Sequence, residues 1–122
     1  MKQVTLFRHG KAEPHGNGIE DFQRQLVKNG VQSVTEVAQR AVKAWGTPDL
    51  VVSSPAVRAL ATAELFAEEL TTADDIQLFE ELYAADPSDI LDVIRQLPAD
   101  ADHVVIVGHN PSLEELAFLL QE

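Results

Sequence analysis

Apolar and polar positions change their period several times along the chain, and each change marks an element. Gln3 to Arg8 is a short β-rich run that stops at Gly10, and the Gly16-Asn17-Gly18 stretch beyond it is irregular. From about Leu26 to Trp45 the residues Val31, Val34, Ala38, Ala41, Val42 and Trp45 recur at three- and four-residue steps before Gly46 and Pro48, which predicts an amphipathic helix. Leu50, Val51 and Val52 form an apolar run too short for a helix. Ser54-Pro55 then offers an N-cap followed by a first-turn proline. The predicted second helix buries Ala56, Ala59, Leu60, Ala63, Phe66, Ala67 and Leu70, with Arg58, Thr62 and Glu69 off that face. The same order repeats: a strand over Ile76 to Phe79, then a helix opened by Asp86-Pro87 with Ile90, Val93, Ile94 and Leu97. It recurs once more as a wholly apolar strand from Val104 to Val107 and a last helix opened by Asn110-Pro111.

Strands alternating with helices of this length imply βαβ crossovers, and strands apolar on both faces suit a sheet covered on each side. The predicted fold is a three-layer α/β/α sandwich on a mostly parallel sheet, formed as one domain over residues 1–122. Leu116, Ala117, Phe118, Leu119 and Leu120 are apolar almost all round a helix, and only Gln121 and Glu122 follow. That pattern leads us to expect either a domain truncated at its C-terminus or a partner over the second face.

Charge narrows the partners. Nine Lys and Arg stand against 20 Asp and Glu, a net charge of −11, and aromatic residues make up 6% of the chain. Such an excess repels a phosphate backbone, and so few aromatic rings give little for bases to stack on, so no nucleic-acid partner is expected. With no cysteine there is no disulfide, thiolate metal site or thiol nucleophile, which fits a cytoplasmic protein. No apolar run approaches the roughly 20 residues that span a bilayer, and strand-like residues begin straight after Met1-Lys2, so neither membrane nor signal peptide is expected. The pairs Glu68-Glu69, Asp74-Asp75 and Glu114-Glu115 diverge rather than converge, so no metal is expected.

In an open parallel sheet ligands bind outside the carboxyl ends of the strands. Those ends carry Arg8-His9-Gly10, then Ser53-Ser54-Pro55 with Arg58 close behind, then Gly108-His109-Asn110-Pro111. Two guanidiniums and two imidazoles on one edge of an acidic protein call for an anion. Planar guanidinium forks suit phosphoryl oxygens, and helix starts beside Arg58 and Asn110 add backbone N–H donors. A neutral histidine in such a pocket can attack phosphorus if its other nitrogen keeps its proton on an acceptor. His15 reads as a solvated loop residue, and His103 lies at the opposite sheet end.

Arg8-His9-Gly10 after a first strand, Ser54-Pro55-Ala56-Val57-Arg58-Ala59 with Thr62-Ala63, and Gly108-His109-Asn110-Pro111 together resemble the histidine phosphatase, or phosphoglycerate-mutase-like, superfamily. Asp21-Phe22-Gln23-Arg24-Gln25-Leu26 followed by Asn29-Gly30 is similar to the compact SixA-type phosphohistidine phosphatases. The resemblance implies a cofactor-independent phosphatase with His9 as the phosphorylated nucleophile and Arg8, Arg58 and His109 as the phosphate pocket. Gly10 and Asn110 join the expected substrate contacts, and Arg24 lines the rim. The implied substrate is phosphohistidine on a phosphotransfer domain or phosphocarrier. The alternatives are a general phosphomonoesterase acting on small phosphoesters and a non-catalytic phosphohistidine-binding module; a mutase has too little chain for a lid. Two departures stand out: members usually continue past the last helix into a further strand, and the acid that serves alkoxide leaving groups has only Glu81, ahead of Leu82-Tyr83, as its better candidate.

Overall fold

A computed structural model describes residues 3–16, 18–68 and 76–119. Within them the chain runs β1 (Gln3–Arg8), α1 (Lys28–Trp45), β2 (Leu50–Ser53), α2 (Val57–Glu68), β3 (Ile76–Leu78), α3 (Pro87–Gln96), β4 (His103–Gly108) and α4 (Ser112–Leu119), with single 3-10 turns at Asp21–Gln23 and Glu80–Leu82. Among the described residues the strands form one sheet in the order β1-β4-β2-β3, every pairing parallel. This is the predicted α/β fold.

The hydrophobic effect explains the layers, because the apolar run of β4 needs cover on both sides. Its Val104 and Ile106 pack with Ile90, Val93, Leu113 and Leu116 of α3 and α4. Its Val105 and Val107 point the other way, onto Ala38 of α1 and Ala59, Ala63 and Phe66 of α2. Burying each such valine or isoleucine contributes roughly 1.5–3 kcal/mol, which makes β4 the strand the fold is built around. The Asp86 backbone N–H donates to the Asp89 carboxylate at 2.9 Å, fixing the start of α3 where the sequence places it.

Several boundaries and faces differ from expectation. Helix α2 begins at Val57 rather than at Pro55, because Ser54 and Ala56 form a turn in which the Ala56 N–H donates to Ser54 Oγ at 3.2 Å. Arg58 and Thr62, placed off the buried face by their polarity, are 4% and 0% exposed, because the loop after β1 packs onto that side of the helix. Val31 and Trp45 belong to the apolar stripe of α1, yet both are exposed: the helix reaches the core through its middle, at Val34, Ala38 and Ala41. The expected faces at Glu69, Leu70, Asp74 and Asp75, and the chain from Leu120 onward, lie outside the described residues. Among the described residues no helix is long and apolar enough to cross a membrane.

Candidate active site

The sheet topology brings three strand ends together. Arg8 pairs with Gly108 and Ser53 with Val107, so β1, β4 and β2 finish side by side. The His9 N–H donates to Gly108 O at 3.1 Å and the Ser54 N–H to Val107 O at 3.0 Å, extending the ladder by one residue on each side. His9, His109 and Ser54 therefore leave the sheet as neighbours. Beside them opens a cleft of about 640 Å³ lined by Arg8, His9, Gly10, Lys11, Ala12, His15, Asp21, Arg24, Arg58, His109 and Asn110.

The loop after β1 is held against α1 and α2. Its Gly10 N–H donates to Thr62 Oγ1 at 3.0 Å, and the Thr62 hydroxyl donates onward to Arg58 O at 2.8 Å. Lys11 O accepts the Val27 N–H, and the Glu13 N–H donates to Gln25 O, so the loop lies along the approach to α1. Two glycines allow that closeness. A Cβ on Gly30 would stand 2.3 Å from Lys11 O, and one on Gly10 would stand 2.5 Å from Val34 Cγ2.

Among the described lining residues the single carboxylate is Asp21, and it organises the cations. Arg58 donates from Nη1 to Asp21 O at 2.6 Å and from Nη2 to Asp21 Oδ2 at 3.1 Å. Arg24 donates from Nε to Asp21 Oδ1 at 3.0 Å and from Nη1 to Glu13 O at 2.6 Å. The Tyr83 hydroxyl donates to Asp21 Oδ2 at 2.5 Å, and His15 Nδ1 lies 3.6 Å from Oδ1. With the Tyr83 hydrogen bond as the main cause and the two guanidiniums behind it, the Asp21 carboxyl is held far below the usual carboxylate range, while Tyr83 is pushed up by its bond to Asp21.

The two histidines sit 5.0 Å apart, centroid to centroid. His9 Nδ1 donates to Gly10 O at 2.7 Å, which leaves Nε2 as the lone-pair nitrogen, and Arg58 Nε donates to that nitrogen at 3.3 Å. Burial first, and then the charges of Arg58, Arg8 and Arg24, lower the His9 pKa, opposed by the Gly10 hydrogen bond. His109 Nε2 and Ser54 Oγ share a hydrogen bond of 2.8 Å, and Nδ1 of His109 is buried with no hydrogen-bond partner among the described residues. Burial, followed by the charges of His9 and Arg58, lowers its pKa to about 4. Both shifts favour the neutral ring.

Of the residues singled out in the sequence, Arg8, His9, Gly10, Arg24, Arg58, His109 and Asn110 all line this cleft. Asn110 also exchanges hydrogen bonds with Glu114, receiving the Glu114 N–H at 3.3 Å and donating to its carboxylate at 2.9 Å, so its amide caps α4. Glu81 does not line the cleft; it is exposed on the Glu80–Leu82 turn. His15 does line it, whereas His103 bonds Thr5 Oγ1 at 3.1 Å at the far end of the sheet. Sequence reasoning gave no role to Asp21, Ser54, Thr62 or Tyr83. Asp21 stood inside a recognised motif, but its partners Arg58 and Tyr83 are 37 and 62 residues away, and only folding joins them.

Comparison with known proteins agrees with this geometry. No curated protein sequence matches the chain. Among solved structures, a protein named as the phosphohistidine phosphatase SixA of Agrobacterium tumefaciens superposes with a TM-score of 0.87 at 30% identity, covering 99% of this chain and 78% of its own. The protein histidine phosphatase SixA complexed with tungstate gives 0.83 at 24%, covering 94% of this chain and 74% of its own. A phosphoserine phosphatase mutant from Entamoeba histolytica in complex with phosphoserine gives 0.72 at 21%, covering 98% and 79%; these last two likenesses are ones of fold. Residues 4–89 match the model of the histidine phosphatase superfamily, branch 1, and the chain belongs to that family.

Proposed function

We propose that this protein is a phosphatase that works through a phosphorylated His9 and removes the phosphoryl group from phosphohistidine on a partner protein. The observation that carries the reading is the state of His9: Nδ1 keeps its proton on Gly10 O at 2.7 Å, so Nε2 carries the lone pair inside a cationic cleft, where Arg58 Nε holds it at 3.3 Å until substrate arrives. In the first step that lone pair attacks phosphorus in line, the bond from phosphorus to the substrate nitrogen breaks, and its electron pair returns to the departing imidazole, which takes a proton from water. Arg8 and Arg58 hold the equatorial oxygens, and His109 stabilises the charge gathering on them. In the second step water attacks phosphorus, the bond to Nε2 breaks, and inorganic phosphate leaves. Substrate must compete with Asp21 for Arg58, since both Nη atoms of Arg58 now rest on that residue.

The substrate class rests on the leaving group. An alkoxide has a conjugate acid of pKa roughly 15 and needs a proton donor, whereas imidazole leaves with far less help. Asp21 cannot serve as that donor at neutral pH because Tyr83, Arg58 and Arg24 keep it ionised, and Glu81 stands outside the lining. The cleft is also open enough for a ring displayed on another protein. The SixA structures support the same class, one of them holding tungstate, a phosphate-like oxyanion.

Rates on a phosphohistidine protein, a phosphoserine peptide and small phosphoesters test this. Phosphohistidine should turn over fastest, with label trapped on His9 in an acid-labile, base-stable linkage. Label in an acid-stable ester would overturn the mechanism, and faster phosphomonoester hydrolysis would overturn the substrate class.

A further inference from the structure

The geometry points to Ser54 as the positioning residue that fixes the tautomer of His109, holding the proton on Nδ1 so that this nitrogen donates to a phosphoryl oxygen. The inference deepens the phosphatase reading and rests on it for the identity of the acceptor.

Ser54 is 0% exposed, and its Oγ has two partners among the described residues. One is the Ala56 backbone N–H at 3.2 Å, which can only donate, so Oγ accepts there. The other is His109 Nε2 at 2.8 Å, where either atom can be the donor. If Nε2 carried the proton, Oγ would accept twice, and its own hydrogen would be buried without an acceptor. No other acceptor bonds Oγ among the described residues, where its partners are the Ala56 N–H and His109 Nε2 alone. If instead the Ser54 hydroxyl donates to Nε2, every polar atom of Ser54 is satisfied and Nε2 is the lone-pair nitrogen. A neutral imidazole has one N–H, so the proton then sits on Nδ1.

The other end of the ring points to the same assignment. Nδ1 is buried, has no hydrogen-bond partner among the described residues, and belongs to a residue that lines the cleft beside His9. Against phosphoryl oxygens, which offer only lone pairs, a bare Nδ1 repels and a protonated Nδ1 binds. The Ser54 backbone is fixed by its N–H to Val107 O at 3.0 Å, so the hydroxyl is aimed by the same sheet that carries His109. Ser54 touches no reacting atom. It acts through His109, by choosing which of its nitrogens donates.

The experiment is a long-range 1H–15N correlation of the imidazole nitrogens in the 15N-labelled full chain at pH 7, with and without tungstate. Wild type should show His109 with a pyrrole-type Nδ1 and a pyridine-type Nε2, and tungstate should shift the Nδ1 proton. Ser54→Ala should mix the two tautomers and lower kcat by about 10-fold or more with KM little changed, while Ser54→Thr should restore both. A pyrrole-type Nε2 on wild-type His109, or an Nδ1 proton indifferent to tungstate, overturns the assignment even if Ser54→Ala proves unable to fold. Failure of the phosphatase reading looks different: no phosphate is released from any substrate while the tautomer signals stand as described.

Discussion

His9 and His109 are the same side chain, 5.0 Å apart in one cleft, both with lowered pKa values, and in the proposed mechanism their surroundings give them opposite tasks. His9 spends its N–H on the carbonyl of the next residue, Gly10, and presents a lone pair. His109 has one nitrogen covered by Ser54, 55 residues away in the chain, and its other nitrogen is buried without a partner among the described residues. The lesson is that the second hydrogen-bond partner of an imidazole, more than the imidazole itself, assigns nucleophile and stabiliser. The first assignment is local, written into the turn after β1. The second exists only because β2 and β4 lie side by side.

The sharpest test of that contrast is to remove each ring in turn. His9→Ala should abolish turnover and leave no phosphoenzyme, as expected when the nucleophile is lost. His109→Ala should slow turnover by about 10²–10³-fold, the size of one lost oxyanion donor, while label still reaches His9 in rapid-quench experiments. Equal losses, with no label in either variant, would erase the distinction.

A pH titration separates the rings next. A protonated His9 has no lone pair, and its pKa lies below 6.5, so activity should hold at neutral pH and fall about 10-fold per unit once pH drops below that pKa. His109 should stay neutral down to about pH 4 and contribute nothing to that limb. For stability the sign is the same: the folded state lowers both pKa values, so the unfolded chain binds protons first. Stability is whole above about pH 6.5 and declines as pH falls toward the folded values. An activity limb centred above pH 7 would contradict the lowered His9 pKa.

Asp21→Asn is expected to act more gently, with about a 10-fold loss in kcat/KM, because the lost aim of Arg58 and Arg24 outweighs the weaker competition for Arg58. Because the folded state depresses the Asp21 pKa, its ion pairs stabilise above the unfolded value of about 4 and are lost as pH falls below it. The Asn variant should therefore lose less stability on acidification than wild type in urea unfolding at pH 7 and pH 3. Glu81→Gln should have the smallest effect, less than about tenfold on phosphohistidine hydrolysis, against 10²–10⁴-fold for an essential general acid. Abolished turnover would return Glu81 to the chemistry.

Much of the molecule was legible in its sequence because the signals are local. Short apolar runs and period-3.6 patterns gave the strands and helices in order, since length and the face of a side chain follow from backbone geometry alone. Glycine and proline marked the turns, and Arg8-His9-Gly10, Arg58 and Gly108-His109-Asn110 lie where a parallel sheet places ligands. What misled was the inference from polarity to exposure: Arg58 and Thr62 are buried because their hydrogen bonds are met by Asp21 and Gly10, residues of a distant loop. The sequence by itself determined the elements, the parallel α/β class and the cationic strand ends. The tertiary structure alone decided that Asp21 meets Arg58 and Tyr83, that Ser54 meets His109, and that Glu81 stays outside the cleft. Those three contacts join groups dozens of residues apart within about 3 Å, and a hydrogen bond that short is fixed by the register and packing of the whole sheet rather than by any local pattern.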